Sequence, residues 1–163
     1  MPANYQERVS GKYYEELEVG AIYKASITRT VTEMDNTLFS SLTHNMAWLH
    51  LDAEYSKDQM FGQRLMNSNF TLSLAASVQV IDLTLGTTVA NMGYDQVKFP
   101  NPVFAGDTLY VESEVMSKRE SKSRQNVGLV EFETRGYNQR DELVVIFRRT
   151  SMMIKKSSLE TVG

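Results

Sequence analysis

The sequence predicts an α+β domain in which a strongly bent antiparallel sheet wraps around one long helix. Three observations lead to this fold class. A β-rich segment and short helical segments come first, and one long segment with an apolar stripe follows at residues 69–85. Four consecutive segments of about eleven residues then carry the β-branched and aromatic residues typical of strands. The connections between them are short and polar, which favours antiparallel neighbours.

The first half of the chain begins with one predicted strand, Ala21–Val31, which is rich in Ile, Val, Thr and Ser. Thr32 and Asp35 then have the spacing of a capping box, with Asp in place of the usual Glu. They predict a short helix through Leu42. A loop follows, and Asp52 is placed to cap a second short helix.

The clearest helix is predicted over Asn69–Leu85. Five apolar residues recur there at steps of three or four, which places them on one face: Phe70, Leu74, Val78, Ile81 and Leu85. Asn67, Ser68 and Asn69 offer side chains that can cap the helix, and Gly86 stands where a left-handed residue ends one. The stripe predicts a deeply buried helix.

The second half of the chain is predicted to be strand throughout. The four strands are Val89–Phe99, Thr108–Arg119, Val127–Tyr137 and Leu143–Ile154. A bent sheet of this kind leaves long edges, and self-association commonly covers them. We therefore expect a homodimer or a higher homo-oligomer.

The composition describes a globular chain of one predicted domain, residues 1–163. Net charge is −3, from 17 basic and 20 acidic residues, which argues against a nucleic-acid partner because such proteins usually have a basic surplus. There is no cysteine, which excludes disulfides, thiol catalysis and thiolate metal sites. His44 and His50 do not have metal-site spacing, so we expect no metal.

The sequence shows no sign of targeting to a membrane. Residues 1–10 lack the apolar core of a signal peptide. No apolar run approaches the roughly 20 residues that a membrane span needs. A cytoplasmic protein without a membrane partner is therefore expected.

One motif resembles a known family. The segment Val97–Leu109, VKFPNPVFAGDTL, resembles the F-x-x-P-V-x-x-G-D-T-L signature of the MaoC-like dehydratases, which include the R-specific enoyl-CoA hydratases. Three further stretches resemble the family in the same order: Gly11–Gly20, Phe39–Asp52 and Phe61–Leu74. The resemblance covers nearly the whole chain. It implies a hot-dog fold and a hydro-lyase that adds or removes water at the double bond of an acyl-CoA thioester.

The resemblance also implies which residues form the site. The family motif L-T/S-G-D-x-N-P-x-H-x-D is similar to LTHNMAWLHLD here, so His50 falls on the catalytic histidine and Asp52 on a helix-capping aspartate. Asn45 falls on the catalytic aspartate, and Met66-Asn67-Ser68 replaces the usual A-H-G. These departures look more like a subgroup near mesaconyl-CoA hydratases and β-methylmalyl-CoA dehydratases, whose acyl groups are short, branched or dicarboxylic.

Hydration of an enoyl thioester needs a base for water, an acid for Cα and donors for the thioester oxygen. Imidazoles titrate near neutral pH and suit the first two roles, whereas an amide has no usable pKa. In one scheme, His50 is both base and acid while Asn45 orients the water or the ring. In a second scheme, Asp35 or Glu33 moves into the site. The first scheme needs fewer coincidences.

Binding residues follow from the same resemblance. Backbone amides at the helix start, around Asn67, Ser68 and Asn69, would hold the thioester oxygen. Trp48 would either wall the acyl pocket or serve packing or an interface. Basic residues are candidates for the CoA phosphates: Lys118, Arg119, Lys122 and Arg124, with one of Arg148 and Arg149. A solvated hairpin is the alternative for the first four. CoA is part of the substrate, so no separate cofactor is expected.

Two other functions fit the same fold. A hot-dog thioesterase would need a carboxylate near the start of the central helix, and residues 66–70 contain none. A non-catalytic subunit that binds acyl-CoA is the second alternative. Its support is Asn45, since loss of the paired carboxylate can mean loss of chemistry.

Overall fold

The computed structural model describes residues 10–159, and the first nine residues, on which most of the signal-peptide prediction rests, lie outside this range. Within it the helices are α1 Glu33–Leu42, α2 Trp48–Leu51, α3 Ala53–Lys57, α4 Ser68–Val78 and α5 Val80–Leu83. The strands are β1 Ile22–Lys24, β2 Arg29–Thr30, β3 Thr88–Lys98, β4 Thr108–Glu120, β5 Val127–Tyr137 and β6 Leu143–Ile154.

These strands form one antiparallel sheet in the spatial order β1-β4-β5-β6-β3, and β2 adds to β4 beside β1. Helix α4 contacts β4, β5 and β6. The bent sheet around one central helix confirms the predicted α+β fold. The predicted bounds of β5 and β6 agree with the structure at both ends.

The prediction of one long first strand is wrong. The segment divides into β1 and β2, with an irregular stretch between them. Ser26 causes the interruption, because its amide and its hydroxyl both donate to Asp82 Oδ2, at 2.8 and 3.1 Å. The Asp82 carboxylate of α5 thus accepts the hydrogen bond that the Ser26 amide would otherwise donate within the sheet.

The prediction of one helix from Asn69 to Leu85 is also wrong. The helix stops at Val78, and Gln79 joins it to the short α5. The core-facing residues of α4 are Thr71, Ala75, Ala76 and Val78. Phe70 and Leu74 are partly buried against the core, and beyond the break Ile81 and Leu85 are 41% and 43% exposed, so only Val78 of the predicted stripe is buried.

Local helix signals are confirmed. Thr32 and Asp35 form a reciprocal capping box at the start of α1. Asp52 accepts from the Tyr55 amide at 2.9 Å and caps α3. Gly86 has a φ of 79°, the left-handed conformation predicted for it.

The core has two parts. The larger lies between α4 and the strands β4–β6 and includes Leu109, Val111, Val145 and Phe147. The smaller covers the other end of the sheet, where Tyr14 and Leu17 pack on β4, β5 and β6 residues. Gly128 allows this second contact, since a Cβ there would lie 2.2 Å from the Tyr14 ring.

Strand β3 forms one edge of the sheet and is almost entirely exposed. Its exposed apolar residues include Val89, Met92 and Tyr94. At eleven residues, α4 is the longest helix between residues 10 and 159. Every helix in that range is too short to cross a membrane.

Candidate active site

His50 lies in α2 and is buried, with 8% of its surface exposed. Its Nδ1 lies 2.8 Å from the carbonyl oxygen of Leu65. A carbonyl can only accept, so we assign the proton of the neutral ring to Nδ1. The lone pair then resides on Nε2, which no residue between 10 and 159 bonds. This orientation leaves Nε2 as the ring nitrogen that can accept a proton.

Asn36 fixes the backbone around that histidine. Its Nδ2 donates to His50 O at 3.0 Å and to Leu65 O at 3.1 Å, and its Oδ1 accepts from the Asn67 amide at 3.0 Å. Asn67 Nδ2 in turn donates to Ser40 Oγ at 3.2 Å. These side chains are buried. The network joins the His50 segment to the start of α4.

The sequence analysis missed Asn36. A faint signal exists, because Asn36 and Ser40 are polar residues four positions apart in the predicted first helix, and therefore on one face. Polar pairs of this kind usually face solvent, so the burial of this pair becomes visible only in the assembled fold.

The start of α4 offers two free amides. Asn67 caps the helix by accepting from the Asn69 amide at 3.0 Å, so that amide is already occupied and Asn67 itself serves structure. The Thr71 amide bonds Asn67 O. No acceptor among the described residues bonds the amides of Ser68 and Phe70. These two donors, rather than Asn69, can hold a developing negative charge.

A cavity of about 210 Å³ adjoins the helix start. Its lining includes Leu65, whose carbonyl holds His50, and Ser68. Phe61 and the segment 99–103 of the signature motif also line it. The cavity is mainly apolar, as an acyl group requires.

The side chains of two other predicted site residues contact neighbours in the sequence. Asn45 Oδ1 accepts from the Ala47 amide at 3.3 Å, and no hydrogen bond joins it to His50. Trp48 is 65% exposed and packs edge-on against Tyr55, so it does not wall a pocket within this chain. His44 is exposed and has a φ of 54° at the end of α1, in line with a structural or exposed position.

The two carboxylates of the second scheme, Asp35 and Glu33, are bonded to other residues. Asp35 is held by Thr32 and by Arg29, whose Nη2 lies 2.7 Å from Oδ1. Partial burial acts to raise the pKa of Asp35, but these hydrogen bonds outweigh it and lower the pKa. Glu33 forms an ion pair with Arg64 at 2.9 Å. Both pairings favour the scheme in which His50 works alone.

Asp107 of the signature motif holds a loop rather than a substrate. The carboxylate is buried and accepts from the Phe104 amide, from Gln139 and from Arg140, all within 2.9 Å. Burial acts to raise its pKa, and these hydrogen bonds overcome that effect and lower the pKa. Because Met66 N donates to Val103 O in the same motif, this loop positions the start of α4.

The predicted phosphate ligands lie at the far end of the sheet. Lys118 Nζ donates to the carbonyls of Leu17 and Tyr14, at 2.7 and 3.2 Å, so it serves structure. The other three are exposed residues in or near the β4–β5 hairpin: Arg119, Lys122 and Arg124. Strand β4 spans roughly 35–40 Å, and the candidate site adjoins its other end. Within one chain, these side chains do not meet the site.

The comparison with protein families identifies one match. The profile of the MaoC-like domain matches residues 16–135, well over half of the chain. The mesaconyl-CoA hydratase of Cereibacter sphaeroides is 28% identical over 149 residues, which are 91% of this chain and 43% of that protein. The beta-methylmalyl-CoA dehydratase of Chloroflexus aurantiacus is 28% identical over 146 residues, 90% of this chain and 41% of that protein.

Solved structures give the same fold. R-hydratase PhaJ1 from Pseudomonas aeruginosa superposes with a TM-score of 0.73 at 30% identity, covering 88% of this chain and 86% of that one. The chain spans less than half the length of the two curated relatives. It spans most of the length of the solved hydratase.

Proposed function

The chain belongs to the MaoC-like domain family, and from that premise we propose that it adds or removes water across the α,β double bond of an acyl-CoA thioester. One observation carries the proposal. The Leu65 carbonyl holds Nδ1 of His50, which leaves Nε2 as a base close to the segment where α4 begins. Free amides at Ser68 and Phe70 supply the complementary donors.

The chemistry needs only these groups. Nε2 of His50 takes a proton from water as the water oxygen bonds to C3 of the enoyl group. The electrons of the double bond move onto the thioester oxygen, which the free amides of α4 stabilise. The imidazolium then returns the proton to C2, and the neutral ring is restored. Dehydration is the same path in reverse.

Relatives support the class of substrate. Proteins named mesaconyl-CoA hydratase, beta-methylmalyl-CoA dehydratase and R-hydratase share this domain. We infer a CoA thioester whose acyl group is short, branched or dicarboxylic. A preference for R-configured products follows only from the resemblance.

We also propose a homodimer or higher homo-oligomer, formed through the exposed edge of β3. Its row of unpaired backbone groups and its apolar side chains support this. We further predict that residues 1–163 act as a single domain in the cytoplasm, without a metal or separate cofactor.

A single assay separates this function from its alternatives. The purified protein is incubated with crotonyl-CoA while the absorbance of the enoyl thioester and the amount of free thiol are followed together. We expect the absorbance to fall with no thiol released. Release of thiol would identify a thioesterase. A rise in melting temperature with crotonyl-CoA, without turnover, would identify a binding subunit.

A further inference from the structure

Arg149 is a buried cation in the middle of β6. Only 7% of the residue is exposed, and its Nε and Nη2 have no hydrogen-bond partner. The guanidinium contacts Ala76 O of α4 through Nη1, at 3.5 Å, and interacts with the neutral side chain of Tyr94 on the adjacent strand β3. It also lies over the Phe132 ring, 5.9 Å from the centroid. Buried donors are rarely left without partners, so these atoms require an explanation.

The described residues supply no anion for Arg149. No Asp or Glu in the range 10–159 forms an ion pair with it. The adjacent Arg148 provides the contrast, since it points to the opposite face of the sheet and bonds Glu133 at 3.2 Å. Burial lowers the pKa of Arg149, but an arginine stays charged at neutral pH. An uncompensated buried charge is therefore present.

A second buried side chain with an unpartnered atom lies at the C-terminal end of α4. Gln79 is fully buried at the end of α4, and its Oε1 has no donor. Its Nε2 reaches Tyr23 O at 3.4 Å, so only one half of the amide is used. Gln79 is one turn beyond Ala76, whose carbonyl faces Arg149. The C-terminal end of α4 thus carries an unsatisfied acceptor, and the unsatisfied donors belong to Arg149 on β6.

Helix α4 joins this region to the candidate active site. Ser68, which carries a free amide, and Ala76 are eight residues apart, about 12 Å along the axis. An acyl chain held by its thioester at the start of α4 and extended along the helix would direct its far end toward Arg149. The guanidinium fork matches a carboxylate with two parallel hydrogen bonds.

We propose that Arg149 recognises a carboxylate at the far end of the acyl group, so that the substrate is the CoA thioester of a dicarboxylic acid. The inference rests on the proposed function, because it assigns a substrate class to the same site. It makes Arg149 a residue that determines specificity.

The test compares pairs of enoyl-CoAs of equal length, one ending in a methyl group and one in a carboxylate, from four to ten carbons. We expect the wild-type protein to favour the carboxylate at one length by roughly 100-fold in kcat/KM, the usual scale for a buried charge pair. Arg149→Met should abolish the preference. Arg148→Met is the matched control and should leave it unchanged.

The outcomes separate the two proposals. If the wild-type protein hydrates methyl-terminated substrates as well as carboxylated ones at every length, the assignment of Arg149 is wrong and the hydratase function stands. If it hydrates neither, the proposed function fails and the assignment fails with it. The wild-type ratio decides the question even if Arg149→Met does not fold.

Discussion

Helix α4 has a buried polar cluster at each end, and the two differ in how their hydrogen bonds are satisfied. At the N-terminal end, every polar side-chain atom of Asn36 and Asn67 is bonded. At the C-terminal end, Arg149 and Gln79 leave three buried atoms without partners. A fully satisfied cluster stabilises the fold by itself, whereas an unsatisfied one costs stability until a ligand completes it. We infer that the first positions the catalytic base and that the second selects the substrate.

The largest effect on stability is expected at Asn36. Asn36→Leu leaves the Asn67 amide and the His50 carbonyl without their partner in a buried site. Each such group costs about 1–3 kcal/mol, so the free energy of unfolding should fall by roughly 3 kcal/mol. Urea denaturation measures this. Thr37→Leu, an exposed neighbour in α1, is the control and should change little. Equal values for both variants would show that the N-terminal cluster does not stabilise the fold.

Asp107 tests whether a buried charge is tolerated when its bonds are complete. Asp107→Asn weakens charge-assisted bonds and should cost about 2 kcal/mol. Because the folded state lowers the pKa of this carboxyl, its contribution is present above its ordinary value near 4 and is lost as pH falls through the folded value. The difference in unfolding free energy between wild type and Asp107→Asn should therefore shrink in acid. Asp141→Asn, which changes an exposed carboxylate, is the matched control.

Arg149 should behave in the opposite way to Asn36. Replacing an uncompensated buried cation with an apolar side chain of similar size is often neutral or stabilising. We expect Arg149→Met to keep the wild-type melting temperature or to raise it, by up to about 1 kcal/mol in unfolding free energy. A loss above roughly 2 kcal/mol would mean that the guanidinium already has a full set of partners in the folded protein.

The smallest effect is expected at Asn45. Asn45→Asp keeps the oxygen that accepts from the Ala47 amide, so stability should change by less than about 0.5 kcal/mol. The new carboxylate can take part in proton handling, so turnover of crotonyl-CoA should stay the same or rise. A loss of turnover greater than about tenfold would show that the amide itself is required.

The sequence predicted the parts of the fold that depend on local signals. The capping box at Thr32 and the cap at Asp52 involve residues three positions apart, and the structure contains both. Strands β5 and β6 are long, regular and bounded by polar turns, so their limits agree with the prediction. These features need no knowledge of distant contacts.

The predictions that failed depend on contacts between distant residues. The first strand is interrupted by Asp82, more than fifty positions away. Lys118 resembles a solvated basic residue in sequence, yet it bonds carbonyls about one hundred positions earlier. Asn36 acquires its role from Leu65 and Asn67. A local pattern contains no information on such partners.

The central claim is that Nε2 of His50 moves the proton in hydration, and one measurement tests it most directly. Turnover of crotonyl-CoA is measured for His50→Ala and for His44→Ala, which changes the exposed histidine, after circular dichroism shows both to be folded. We predict a loss of about a thousandfold for His50→Ala and wild-type turnover for His44→Ala. Wild-type turnover by folded His50→Ala would contradict the account.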